Sequence, residues 1–139
     1  MKKAAIIYNS RTGITKKYAE QIGDYLSNKG VETNVLPIQQ YDDALLEDID
    51  YLLLGCWTNG LFFFFQHPDK AWNEFAAKLP NPIKPKTALF TTYKLLTGTM
   101  FKNMSRQLNG SLNASLTELK SRNGTLSDND KEILDNFTR

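Results

Sequence analysis

The chain predicts a three-layer α/β sandwich around a parallel β-sheet, and three observations carry that prediction. Its apolar runs are short and continuous rather than alternating, as strands buried on both faces require. Between them, apolar residues recur at spacings of three and four, the period of helices with one buried face. The two patterns alternate along 139 residues, a length that a single domain spanning residues 1–139 accommodates.

The first strand is expected over residues 4–8 (Ala-Ala-Ile-Ile-Tyr) and the second over 31–38, interrupted by Glu32 and Asn34. A third covers 51–54, a fourth 87–90 with Thr91, and a weaker fifth, with the look of an edge, 116–121. The first helix carries Ile14, Tyr18, Ile22, Tyr25 and Leu26, and Asn28-Lys29-Gly30 stops it. Residues 42–46 suit one short turn. A further helix opens at Pro68-Asp69, carries Trp72, Phe75 and Ala76, and ends before Pro80-Asn81-Pro82. Residues 100–108 repeat the pattern with Met100, Phe101, Met104 and Leu108, stopped by Asn109-Gly110. Ser127 caps the last helix, with Asp130 as the capping-box acid and Ile133, Leu134 and Phe137 as its apolar face.

Composition excludes several classes. Hydrophobic residues at 41% and charged residues at 23% match an ordinary globular chain. A net charge of +2 is too small to argue for nucleic acid, although the second half is mildly basic. Cys56 is the only cysteine and His67 the only histidine, so neither a disulfide within the chain nor a Cys/His zinc site is expected. No apolar run approaches the ~20 residues of a membrane span, and residues 1–8 are too short for a signal-peptide core. A cytoplasmic location is the expectation.

In an open parallel sheet, ligands sit beyond the carboxyl ends of the strands, where strand order reverses. Three loops should gather there, over residues 9–14, 56–66 and 92–99. The first contains Ser10, Arg11, Thr12, Gly13, Ile14 and Thr15, at the entrance to a helix. A helix N-terminus presents unsatisfied N–H groups and about half a positive elementary charge, which suits a phosphate, and the hydroxyls of Ser10, Thr12 and Thr15 add donors. The second holds Cys56, Trp57, Thr58, Asn59 and Gly60, an aromatic ring among small residues. The third combines Thr91, Thr92, Tyr93, Thr97 and Gly98. Each alone reads as a cap or a turn. Together they suit a planar heteroaromatic ligand with a phosphate tail.

Here the chain resembles the flavodoxin family of short-chain FMN-binding electron carriers, over nearly its whole length. The motif Ser/Thr-x-Thr-Gly-x-Thr matches at Ser10, Thr12, Gly13 and Thr15. The resemblance implies a flavodoxin-like five-stranded parallel sheet of order 2-1-3-4-5 and FMN as cofactor. Its phosphate would lie on the N–H groups of residues 11–15 and on the three hydroxyls. Trp57 would stack on the flavin ring, and the Asn59-Gly60 peptide would reorient on reduction, which glycine eases. Tyr93 would lie near the ring, with Thr91, Thr92, Thr97 and Gly98 along its edge or the ribityl chain.

Two features depart from the family. Flavodoxin carriers are usually strongly acidic, a surface that disfavours the anionic reduced flavin, whereas this chain is not, with Arg11 and Lys94 beside the expected site. The apolar run Leu61, Phe62, Phe63, Phe64 and Phe65 stands where a polar surface is expected. It suits burial under the next helix, a wall for the flavin's dimethylbenzene edge, or a docking or dimer patch.

Related architectures fit less well. A receiver domain needs acids directly after the first strand, where this chain has Asn9-Ser10. A low-molecular-weight tyrosine phosphatase needs an arginine six residues beyond its cysteine, where Cys56 has Phe62, and the Gly-Lys-Ser/Thr of a P-loop is missing. Three functional readings stay open: an FMN protein carrying electrons between a reductase and an acceptor, an FMN-dependent oxidoreductase acting directly on a small quinone-like acceptor, and a flavin-free interaction module of the same fold. Cys56 as a small residue near a strand end and His67 as part of a turn need no catalytic role.

Overall fold

A computed structural model describes residues 1–61, 64–108 and 116–139, with the backbone alone at 60, 61, 64 and 65. In chain order the strands are β1 (Lys3–Asn9), β2 (Glu32–Pro37), β3 (Tyr51–Trp57), β4 (Asn59–Leu61), β5 (Phe64–His67), β6 (Lys86–Thr92) and β7 (Thr117–Ser121). The helices are α1 (Ile14–Asn28), α2 (Lys70–Ala77), α3 (Met100–Gln107) and α4 (Asp128–Phe137). Two turns of 3-10 helix, Ile38–Gln40 and Asp43–Leu46, lead from β2 to β3.

The central sheet is parallel throughout, in the order β2-β1-β3-β6-β7. Numbered within that sheet alone, this is the expected 2-1-3-4-5. Successive side chains of a strand point to opposite faces, so each continuous apolar run feeds two cores. Ala4, Ile6, Leu53, Ala88, Phe90 and Leu119 pack with Tyr18, Ile22 and Leu26 of α1 and Leu134 and Phe137 of α4. Ala5, Ile7, Leu52, Leu54, Cys56 and Leu89 pack with Trp72 and Phe75 of α2 and Met100 and Met104 of α3. Each fully buried leucine or isoleucine contributes about 1.5–3 kcal/mol.

The helix boundaries follow local chemistry. Ser127 Oγ accepts the Asp130 N–H, and the Asp130 carboxylate accepts the Ser127 N–H in return, so the expected capping box opens α4. Asp42 caps the second 3-10 turn by accepting the Ala44 N–H at 3.0 Å. No described helix is long and apolar enough to cross a membrane.

Several expected boundaries move. β3 runs on to Trp57 rather than stopping at Leu54, pairing Gly55 with Phe90, Cys56 with Thr91 and Trp57 with Thr92. The small residues read as a turn are strand here because Gly55 makes room for the Phe90 ring: a Cβ on it would lie 2.0 Å from that ring. Thr91 and Thr92 likewise belong to β6, not to the loop after it. Ile38 leaves the second strand for a 3-10 turn, just past Pro37, whose ring denies the ladder a donor. The stretch 56–66 is not a plain loop, since β4 and β5 pair antiparallel across it, Asn59 with His67 and Leu61 with Phe64, and His67, expected in a turn, closes β5. Phe62, Phe63 and the stop signal Asn109-Gly110 lie outside the described residues.

Candidate functional site

Parallel register brings the carboxyl ends of four strands to one edge. Asn9 of β1 is level with Cys56 of β3, Trp57 with Thr92 of β6, and Thr92 with Ser121 of β7. The turns that follow, beginning at Ser10, Thr58, Tyr93 and Arg122, therefore share that edge.

The turn after β1 leaves hydrogen-bond donors unpaired at the start of α1. Gly13 sits at the N-cap of α1 with φ of +94°, a left-handed conformation that a side chain resists, and no side chain caps the helix. Ser10 Oγ accepts the Gly13 N–H at 3.0 Å, which folds the turn back on itself and leaves the Ser10 proton free to donate. The first intrahelical N–H is that of Lys17, bonded to the Gly13 carbonyl at 3.0 Å. Among the described residues the N–H groups of Ile14, Thr15 and Lys16 thus have no protein acceptor, as expected at a helix start. Ser10 is half-buried, and Arg11, Thr12, Gly13 and Ile14 are exposed.

Thr15 differs from its neighbours. It is buried, and its hydroxyl lies 2.6 Å from that of Thr92. One oxygen of this pair donates to the other, so one proton remains for a third acceptor. Thr91 is fully buried; its hydroxyl donates to the Cys56 carbonyl at 2.6 Å and takes the Thr58 hydroxyl proton at 2.8 Å. The Thr58 N–H bonds the Thr92 carbonyl at 2.8 Å. Thr58 and Thr91 therefore lock the β3 and β6 ends together rather than offering free donors.

Cys56 lies in the core with none of its surface exposed. Burial pushes its thiol up to about 12, and the nearby Asp69 carboxylate adds to that, against hydrogen bonds that favour the thiolate. It serves the edge through its carbonyl, which accepts from Thr91, and through its sulfur, which the Asn9 amide approaches. Trp57, Thr58 and Asn59 are half-buried, and the Trp57 ring carries the Arg11 guanidinium 5.2 Å from its centroid. Tyr93 is half-buried, its N–H bonds the Ser121 carbonyl at 3.1 Å, and Arg122 lies 5.5 Å from its ring centroid. Thr97 accepts the Met100 N–H through its carbonyl at 2.8 Å. Gly98 has φ of +49° and packs so closely on Gln66 that a Cβ would lie 2.1 Å from its side-chain oxygen.

All three expected segments thus converge, with Gly60 within β4 beside them. Several participants escape a reading by motif. Asn9, buried at the end of β1, donates its amide to Asp69 at 3.0 Å and approaches the Cys56 sulfur at 3.9 Å. The Gln66 carbonyl receives the Thr99 hydroxyl at 2.8 Å and the Asn103 amide at 2.7 Å, tying β5 to α3. Arg122 lies in the turn after the last strand, a turn at this edge not counted among the site loops. The rule that placed the others, carboxyl ends of parallel strands, would have found it.

An open doubly wound sheet with an anion-ready turn at its switch point defines a nucleotide-type binding protein. Residues 5–119 match the family model described as flavodoxin domain, and the chain belongs to that family, whose members are FMN-binding proteins of electron transport. Among solved structures it is similar to a flavodoxin from the domain Archaea, with 18% identity, 99% of each chain covered and a TM-score of 0.70. Two-electron reduced Megasphaera elsdenii flavodoxin shares 22% identity over 94% of each chain, with a TM-score of 0.71. Oxidised flavodoxin 2 from Bacillus cereus shares 20% identity over 97% of this chain and 94% of its own, with a TM-score of 0.70.

Residues at the edge fit FMN. The fan of N–H groups at Ile14, Thr15 and Lys16, with the Ser10 hydroxyl and the spare proton of the Thr15–Thr92 pair, supplies the donor set of a phosphate. Nothing lies within 4 Å of the Gly13 Cβ position, so the turn leaves its mouth open.

Proposed function

We propose that the chain binds FMN at this edge and passes electrons between a reductase and an acceptor protein. The observation that carries the reading is the Gly13 turn: unpartnered helix N–H groups and hydroxyls, set at the sheet edge beside the half-buried Trp57 ring. Bound FMN supplies the redox chemistry, taking up and releasing one or two electrons.

The chain's own residues hold and orient. Ser10, Thr12 and Thr15, with the N–H groups of Ile14, Thr15 and Lys16, take the phosphate. Trp57 offers its ring for stacking, and Tyr93 a second aromatic surface. Arg11 holds the Trp57 face in the free chain, but an exposed cation–π contact is worth ~0.5–1 kcal/mol against ~1–3 kcal/mol for ring stacking, so a flavin displaces it. The Thr58–Thr91 and Gln66–Asn103 bonds keep the flanking segments in register. A direct oxidoreductase acting on a small acceptor is the second reading, favoured by the near-neutral net charge of +2.

Titration of the purified chain with FMN tests the proposal. Tight binding with quenched flavin and tryptophan fluorescence is expected, and Trp57→Ala should weaken it by about 1–3 kcal/mol. A colourless protein that ignores added FMN overturns the reading. Oxidation of NAD(P)H with quinones and no partner reductase would move the assignment to the second reading.

A further inference from the structure

Three cations rim this edge without a neutralising partner. Arg11 follows β1, Lys94 lies two residues past β6 and Arg122 directly follows β7, and all three are exposed. The ion pairs among the described residues join Lys2 to Asp50, Lys3 to Asp48, Lys70 to Glu74 and Lys131 to Asp128; none involves the three. Carboxylates at the same edge keep their charge but form no ion pair with these three among the described residues. Asp69 accepts the Asn9 amide. Asp42 and Asp43 stand beyond β2, at the opposite end of the strand order from β6 and β7, and accept the Ala44 N–H and the Tyr41 hydroxyl.

In the free chain the two arginines also rest beside aromatic rings. Arg11 lies on Trp57 and Arg122 on Tyr93, the two rings assigned to the flavin-facing segments. Arg122 further donates to the Leu95 carbonyl at 3.3 Å. Each guanidinium carries a fork of N–H donors that matches a carboxylate, and a flavin that takes the Trp57 face leaves Arg11 free to offer it. Because charges beyond about 8–10 Å are screened, the local cluster and not the net charge sets the field a partner meets.

We infer that this edge docks a redox partner through an acidic surface, its carboxylates meeting Arg11 and Arg122 on either side of the cofactor. The inference rests on the proposed FMN site for the meaning of that docking. Electrostatic complementarity of this kind raises the rate of encounter and fixes orientation more than it adds affinity.

A deca-glutamate peptide and a deca-lysine peptide serve as probes, titrated at low salt into the chain saturated with FMN, so that the phosphate turn is filled. Nuclear magnetic resonance should show deca-glutamate shifting the amides of Arg11, Lys94 and Arg122 and the Trp57 indole, and deca-lysine leaving them in place. Arg122→Gln and Arg11→Gln should each weaken the glutamate peptide about threefold, the size of an exposed ion pair. Preference for deca-lysine, shifts on another face, or unchanged affinity in both variants overturns the inference.

A readout without flavin accompanies it. Trp72 is fully buried and Trp57 half-buried, so quenchers in solution report on Trp57. Each ion's quenching of Trp57, taken relative to its quenching of free N-acetyltryptophanamide, should be greater for iodide than for caesium, and Arg11→Gln should narrow the difference; equal relative quenching in the unsubstituted chain counts against the inference. A chain that binds no FMN fails the proposed function, whereas one that binds FMN and prefers deca-lysine fails only this docking surface.

Discussion

Two glycines do opposite jobs, and substituting them separates space from conformation. Gly13 has room for a methyl group, with nothing within 4 Å, but its φ of +94° does not suit an L side chain. Gly13→Ala should therefore cost about 1–2 kcal/mol of stability through backbone strain alone, read as a lower urea midpoint. Gly55 has the reverse problem: its φ is not positive, but a Cβ would lie 2.0–2.4 Å from three atoms of the Phe90 ring. Gly55→Ala should cost about 1–3 kcal/mol by overpacking, and adding Phe90→Leu should return part of that loss. Strictly additive losses in the double-mutant cycle would show that ring contact is not the cause.

At the scale of elements, the fastening of β5 to α3 holds one wall of the site. Asn103 and Thr99 both donate to the Gln66 carbonyl, so removing one leaves the other in place. Asn103→Ala should cost about 0.5–1.5 kcal/mol and speed amide hydrogen exchange in β5 more than in β1 or β3. Uniform acceleration across the sheet would mean that the bond supports global stability instead. These contacts also mark where the sequence stops being readable. The parallel strands, α1 and the α4 cap were legible because continuous apolar runs, a three-to-four period and Ser127–Asp130 are local signals. The β4–β5 pair was not, since its attachment to α3 depends on residues 33 and 37 positions apart. The Ser10 to Thr15 motif located its turn, but the Thr15 hydroxyl's bond to Thr92 joins residues 77 positions apart and only folding reveals it.

For the molecule as a whole, folding is linked to pH through two buried acids on opposite faces of the sheet. Cys56 sits in the core with α2 and α3, where burial pushes its thiol from 9.0 to about 12. Tyr18 sits in the core with α1 and α4, its hydroxyl donating to the Asp130 carboxylate at 2.9 Å. Burial first, and then the Asp130 charge and hydrogen bond, push its ionisation well above the ordinary 10.0. Both groups are neutral when protonated, so the native state holds protons that the unfolded chain releases. Their contribution to stability is full below pH 9, begins to fall above 9 for Cys56 and above 10 for Tyr18, and declines as pH rises toward the folded values. Each group contributes up to about 1.4 kcal/mol of loss per pH unit within its window. Urea midpoints measured from pH 8 to 11 should therefore fall progressively, and Cys56→Ala should make the fall between 9 and 10 shallower, leaving the part that the raised tyrosines contribute. A midpoint that stays level to pH 11 would mean that water reaches both groups in the native state. The same burial predicts a thiol that resists alkylation at pH 8 in the folded chain and reacts once urea opens the core.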